Sequence, residues 1–312
     1  MKDNFNGIAN VYKEAGFTSF DVVAKLRGIF GQRKIGHTGT LDPDATGVLP
    51  ICLGNATKVV ELLMDHDKEY VAELLLGVKT DTQDISGNVI AEKEIKDISE
   101  DAIRSVIASF IGEQDQIPPM YSALKVNGQK LYDLARKGVE VERKPRRINV
   151  FDIEILDIKM PVVKISVHCS KGTYIRTLCD DIGEKLGCGG TMKNLERTRV
   201  GVFAKEDAMT LDEIQKLKDT DRLSECVRGV DSLFMDLPSV TVKEESLSRL
   251  NNGNILNLVD IIQNNNKTVD ITSQNTVNLH ECVRAYKPDG TFSALYRYDE
   301  STKTYKPEKM FL

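Results

Sequence analysis

The 312-residue chain is 41% hydrophobic and 29% charged with a net charge of −5, which supplies a folded core and excludes disorder as a description of the whole. No apolar run approaches the roughly 20 residues of a membrane helix, and MKDNFNGIANVYKE has no basic head followed by an apolar stretch, so the expected setting is the cytoplasm, with neither a spanning segment nor a secretory leader. Cys52, Cys169, Cys179, Cys188, Cys226 and Cys282 are scattered without a CxxC, and read as reduced, mostly buried thiols rather than a disulfide framework.

A first helix is marked by Thr18 as cap, Asp21 at the capping-box position, an apolar stripe of Val22, Leu26, Ile29 and Phe30, and Gly31 as stop. It delivers the chain to GHTGTLDPDATG, residues 36–47, whose three Gly, three Thr and one Pro predict a loop. ATKVVELLMDH reads as helix. EYVAELLLG reads as a strand with Tyr70, Ala72, Leu74 and Leu76 on one face, and Ser86-Gly87-Asn88 as a turn into a strand over NVIAEKEI. Ser99 opens another helix, where Ile98 and Ile103 can form a hydrophobic staple and Ile107 and Phe110 continue the apolar face.

Residues 125–147 carry 8 basic and 3 acidic side chains with few bulky apolar ones, and read as an exposed excursion. RINVFDIEILDI and VVKISVHC are strands by their β-branched, partly alternating pattern, and the second runs into a helix near Tyr174 whose face is Ile175, Leu178, Ile182 and Leu186. From LPSVTVKEE onward the pattern is of short strands, with a hairpin at Pro288-Asp289-Gly290, while Asn251 to Asn266 reads as a polar loop. The order of elements predicts an α+β fold on a mixed, mainly antiparallel sheet over residues 1–230 and a small β-rich domain over 235–312.

Charge is segregated along the chain. Residues 1–120 hold 12 basic against 19 acidic side chains, 121–205 hold 17 against 10, and 206–312 hold 13 against 18. A locally basic third in an acidic protein fits a face for a polyanion, or a solvated surface. His37, His66, His168 and His280 are dispersed, no HExxH or Cys/His cluster occurs, and Asp81 with Asp84 is too sparse for an EF-hand, so no metal or other cofactor is expected. Asp42, in a Gly-rich loop beside Pro43, can be held and aimed as a nucleophile must be, although Asp-Pro is also ordinary turn chemistry. Tyr174 and Arg176 share a face only if the strand persists through Arg176. A buried Arg176 needs a partner, and Asp42 or Asp44 offers one.

GHTGTLDPDATGVLPICLGNATK, DKEYVAELLLGVKTDTQDISG, IPPMYSALKVNGQKLY and SKGTYIRTLCDDIGEKLG resemble, in order and spacing, the successive motifs of the TruB family, the bacterial tRNA pseudouridine-55 synthases. The resemblance is nearly continuous over residues 7–205. Beyond residue 235 the likeness to the family's variable, PUA-like C-terminal extension is loose, and Lys13-Glu14 stands where the family commonly has Lys-Pro. The resemblance implies isomerisation of one uridine in the T loop of tRNA, without cofactor or metal, by a monomer with no obligatory protein partner. Asp42 maps onto the family's essential aspartate, by attack on the ribose or by assisting elimination to a glycal. Arg176 would pair with Asp42 and favour its ionised form, Tyr70 would stack on the base and assist proton transfer at C5, Tyr174 would support the pocket and Leu195 line it. His37 would fill the space left by the extracted base, Asp84 would support the site by hydrogen bonding, and Lys13, Lys58, Arg143, Lys144, Arg146 and Arg147 would contact phosphates. A noncatalytic RNA chaperone and a guide-RNA-dependent synthase are the competing readings.

Overall fold

The computed structural model describes residues 5–122, 124–126, 128–263 and 282–312. The chain begins with β1 (Gly7–Lys13), α1 (Ser19–Phe30), β2 (Ile35–His37) and β3 (Thr46–Leu53), passes through a 3₁₀ turn into α2 (Val60–Asp65), and continues as β4 (Lys68–Leu76), β5 (Val78–Thr80), β6 (Val89–Glu92), α3 (Glu100–Ala108) and β7 (Gly112–Gln116). The excursion then forms β8 (Lys125–Val126), β9 (Gln129–Lys130) and α4 (Leu131–Ala135), followed by β10 (Arg146–Lys159), β11 (Val162–Cys169), α5 (Ile175–Lys185), β12 (Gly190–Val200), β13 (Phe203–Ala204) and α6 (Leu211–Asp219). The remainder is β14 (Ser239–Val242), α7 (Leu247–Asn251), β15 (Leu256–Asn257), β16 (Ile261–Gln263), β17 (Cys282–Tyr286), β18 (Phe292–Asp299) and β19 (Thr304–Met310).

Nine strands form the main sheet in the order β1-β3-β12-β4-β11-β10-β7, with β2 beside β3 and β13 beside β12. All its pairings are antiparallel except β12 with β3, where Arg197 lies opposite Gly47. Gly47 permits that contact: its φ is +109°, and a Cβ there would stand 2.1 Å from the Arg197 carbonyl oxygen. The second sheet has the order β15-β19-β18-β17-β14-β16.

The capping box at Thr18 and Asp21 and the left-handed Gly31 bound α1 as expected, and Gly290 at φ +83° closes the β17–β18 hairpin. The apolar face of α1 packs with α6 on β1 and β3, while α3 and α5 cover the inner residues Ala72, Leu74, Ile165 and Val167 of β4 and β11. Each such fully buried aliphatic side chain is worth about 1.5–3 kcal/mol. Leu295 and Phe311 of the second sheet share a cluster with Val48, Cys52 and Leu63, which fastens the two sheets together beside α2.

Two expectations need correction. The strand over NVIAEKEI shrinks to β6, because all four of its residues are exposed and, among the described residues, only β5 pairs with it. Asn251 to Asn266 is not simply a polar loop: its apolar Leu256 and Ile261 are buried in β15 and β16, while residues 264–266 lie outside the described residues, as does His280. The helix does begin near Tyr174 as expected: the extended chain stops at Cys169, and Arg176 sits in the first turn of α5, so the condition for a shared strand face is not met.

Candidate active site

The loop between β2 and β3 is pinned from beneath. Lys13, at the end of β1, is fully buried, and its Nζ donates to the carbonyls of Glu14 (3.0 Å), Pro43 (2.9 Å) and Ala45 (2.6 Å). Ser19, the first residue of α1, accepts from the Leu41 amide at 2.9 Å and donates back to its carbonyl at 3.2 Å. Thr38 donates through both its amide and its hydroxyl to the Pro50 carbonyl. With the backbone on both sides of it so fixed, Asp42 has little choice of direction.

Arg176 meets it. Its Nε stands 3.1 Å from Asp42 Oδ2 and its Nη2 3.5 Å from Oδ1, a fork set against one carboxylate. The remaining donors reach Asp84 Oδ2 (3.3 Å) and the carbonyls of Thr82 (3.3 Å) and Tyr121 (2.9 Å). The guanidinium is thus fully spent on the protein, with its side chain 8% exposed, whereas the Asp42 side chain is 41% exposed and so reachable from outside. Asp84 is fixed in turn by Thr82 and Ser86, whose hydroxyls donate to its Oδ1.

Enclosure by the cleft drives the Asp42 carboxyl above the ordinary carboxylate range, outweighing the pull of Arg176; Asp84 adds to the rise and Lys13 opposes it. Arg176 does favour the ionised carboxylate, as expected, but desolvation is the larger influence and the overall shift is upward. The guanidinium fixes direction, and loss of water sets the balance.

Tyr70 and Leu195 pack partly buried at the edge of the same core, on the adjacent strands β4 and β12. Burial raises the Tyr70 hydroxyl above its usual value, and the charge of Arg197 opposes this. Tyr174 is the cap residue of α5, and Gln116 holds its backbone at both ends, accepting from its amide at 2.8 Å and donating to its carbonyl at 3.0 Å. Burial likewise raises its hydroxyl. His37 ends β2, with its Nδ1 buried and unpartnered among the described residues and its ring pushed toward the neutral form by burial and by Arg197.

The structure thus assembles Asp42, Asp84 and Arg176, with Tyr70, Tyr174, His37 and Leu195 on surrounding elements. The unwound link Ser170–Tyr174 makes this possible, so a shared strand face for Tyr174 and Arg176 proves unnecessary. Of the two carboxylates open to Arg176, Asp42 takes it and Asp44 is exposed.

Lys13 is a clear correction. It cannot meet a phosphate as expected, because it is fully buried on three carbonyls, where desolvation pulls it down to about 8. Lys58 donates to the backbone oxygens of Met310 and Leu312. Arg143 bonds the Pro118 carbonyl and lies 3.7 Å from Glu140, and Arg147 pairs with Glu113 (2.9 Å) and Asp115 (3.7 Å), while Lys144 and Arg146 are exposed. Sequence reasoning missed Gln116 and Arg197. Strand alternation from Leu195 offered a signal for the latter, since residues two apart share a face.

Two family models match consecutive stretches: the TruB family pseudouridylate synthase N-terminal domain over residues 27–175, and the tRNA pseudouridylate synthase B C-terminal domain over 176–235. The chain is 49% identical to the tRNA pseudouridine synthase B of Lachnoclostridium phytofermentans over 98% of this chain and 100% of that one, and 44% identical to that of Clostridium tetani over 91% and 93%. Among solved structures it is similar to a chain of a Cbf5-Nop10-Gar1 complex, with TM-score 0.70 and 29% identity over 98% of this chain and 85% of that one. It is also similar to a chain of an H/ACA RNP bound to a substrate RNA containing 2'-deoxyuridine, with TM-score 0.68 and 26% identity over the same shares.

Proposed function

The chain belongs to the TruB family and is a tRNA pseudouridine synthase, an isomerase, and from that premise we propose that it acts on a single uridine in the T loop, position 55, through Asp42. The observation that carries the reading is the Asp42 carboxylate held by the Arg176 fork and open to the cleft on its other side.

In the reaction the N1–C1′ bond breaks, the freed uracil turns, and C5 bonds to C1′. The C5 proton leaves and N1 gains one, so atoms balance without a cofactor. Asp42 either attacks C1′ or takes the proton whose loss gives a glycal, and a partly desolvated carboxylate suits both roles. Tyr70 stacks on the base and assists removal of the C5 proton, Leu195 and Tyr174 bound the pocket, and Asp84 steadies Arg176. His37, largely neutral and pointing an unpartnered nitrogen within the loop, fills the place of the extracted base; extraction costs a few kcal/mol. Lys144 and Arg146 supply phosphate contacts more freely than Arg143 and Arg147, and Lys58 does so at the margin of the second sheet.

The enzyme works as a monomer in the cytoplasm, where unpaired buried thiols stay reduced; all six cysteines are free. Among the described residues no helix is long and apolar enough to cross a membrane. The likeness to a Cbf5-containing complex keeps a guide-RNA-dependent reading in view, but the end-to-end match to curated tRNA synthases favours a stand-alone enzyme. The test is to incubate the purified chain with an unmodified tRNA transcript and map pseudouridine by carbodiimide adducts and primer extension. One stop, in the T loop, is expected; a stop elsewhere, or none until guide RNA is added, would overturn the reading.

A further inference from the structure

We propose that Arg197 is a positioning residue for this reaction, tying the Asp42 loop at Gly39 to the strand position opposite Tyr70 so that the base-stacking wall and that loop keep one spacing; the inference rests on the functional reading above. Arg197 is 1% exposed. Its Nε donates to the Val48 carbonyl at 2.7 Å and its Nη2 to the Gly39 carbonyl at 3.2 Å. Tyr70 lies beside it, since Arg197 and Tyr70 are opposed residues of β12 and β4 and project on one face of the sheet.

Its partners set it apart from Arg176. Among the described residues Arg197 has no carboxylate at ion-pairing distance, so a full charge is buried on neutral oxygens alone. An apolar side chain of similar volume would avoid that desolvation, so stability alone is a poor reason for a guanidinium here. What the guanidinium does that an apolar chain cannot is to present several donors in one rigid plane. Those donors join two separate segments, the start of β3 and the loop three residues before Asp42, from a position opposite Tyr70 of β4. Gly39 accommodates the backbone conformation that presents this carbonyl, with φ at +125°. The titratable groups that sense Arg197 are Lys13, Lys68, His37 and the Tyr70 hydroxyl, and no carboxylate is among them.

Arg197→Lys is the test, because an ammonium keeps the charge but lacks the planar fork that reaches the Val48 and Gly39 carbonyls together. Single-turnover tritium release from 5-labelled uridine at saturating T-arm RNA should fall by about a hundredfold, as small misplacements at reacting centres do. Filter-binding affinity for the same RNA should stay within about threefold of wild type, since Arg197 is buried away from the RNA. A crystal structure of the variant should show the Tyr70 ring displaced. Wild-type release with Tyr70 in place would overturn the proposal, and so would a loss of affinity parallel to the loss of rate. If Arg197→Lys does not fold, Arg197→Gln is read by the same criteria, and failure of both to fold overturns the proposal in favour of a purely structural role. The wild-type chain on the same RNA separates the two claims. No release from it would sink the functional reading, whereas release from wild type and variant alike would sink this inference alone.

Discussion

The loop from Gly36 to Gly47 and the stretch from Lys125 to Arg147 are both irregular and charged, yet they are restrained in opposite ways. The first is tied by buried donors, Lys13 and Ser19 from below and Arg176 from across the cleft, so that its one cleft-facing carboxylate is aimed. The second holds its charges at the surface, where Arg147 shares Glu113 and Asp115 and Arg143 leans on Glu140. Such exposed pairs contribute little to stability and are screened by salt. Fixed geometry is what bond-making needs, and loosely held charge is enough to grip a phosphate backbone. The contrast assigns chemistry to one region and affinity to the other.

The largest effect that this contrast predicts is at Asp42. Asparagine keeps the shape but is a poor nucleophile and a poor ionic partner for Arg176, so Asp42→Asn should lose at least about a thousandfold in tritium release, with RNA affinity intact by filter binding. Next is the anchor beneath: Lys13→Met strands the carbonyls of Pro43 and Ala45 in a buried setting and should cost about 1–3 kcal/mol in urea denaturation. In the excursion, replacing Arg143, Lys144, Arg146 and Arg147 by Ala should weaken binding and flatten its salt dependence. Each full phosphate contact is worth about 0.7–0.9 in slope, and the two arginines with carboxylate partners should count for less than that. The smallest effect concerns pH. Activity that needs ionised Asp42 should rise with pH through a value above the ordinary carboxylate range, because its pKa is raised; Asp84→Asn removes a negative neighbour, lowers that pKa, and should move the acid limb of the rate profile down by less than about one pH unit.

How legible each region was follows from the range of the interactions that hold it. The α1 cap at Thr18 and Asp21 and the turn at Gly290 depend on neighbours a few residues apart, and local pattern revealed them, as its Gly and Pro content revealed that the Asp42 segment is a loop but not what pins it. Arg176 needed a distant carboxylate, and the scarcity of unusual acids narrowed it to Asp42 or Asp44, of which Asp42 takes it across 134 residues; Asp84, its second carboxylate, was visible only through the family resemblance. Lys13 misled because a lysine in a polar segment reads as exposed, and only the closed sheet shows it inside. The sign of the shift at Asp42 was out of reach for the same reason: desolvation is a property of the whole cleft, while ion pairing can be guessed from two residues.

The division of labour is tested most directly by single-turnover tritium release measured against T-arm RNA concentration for wild type, Asp42→Asn and the fourfold excursion variant. Asp42→Asn should drop the ceiling toward zero and leave half-saturation where it is; the excursion variant should move half-saturation to higher RNA and reach the wild-type ceiling. A lowered ceiling in the excursion variant, or an Asp42→Asn curve displaced along the concentration axis with its ceiling kept, would contradict the account.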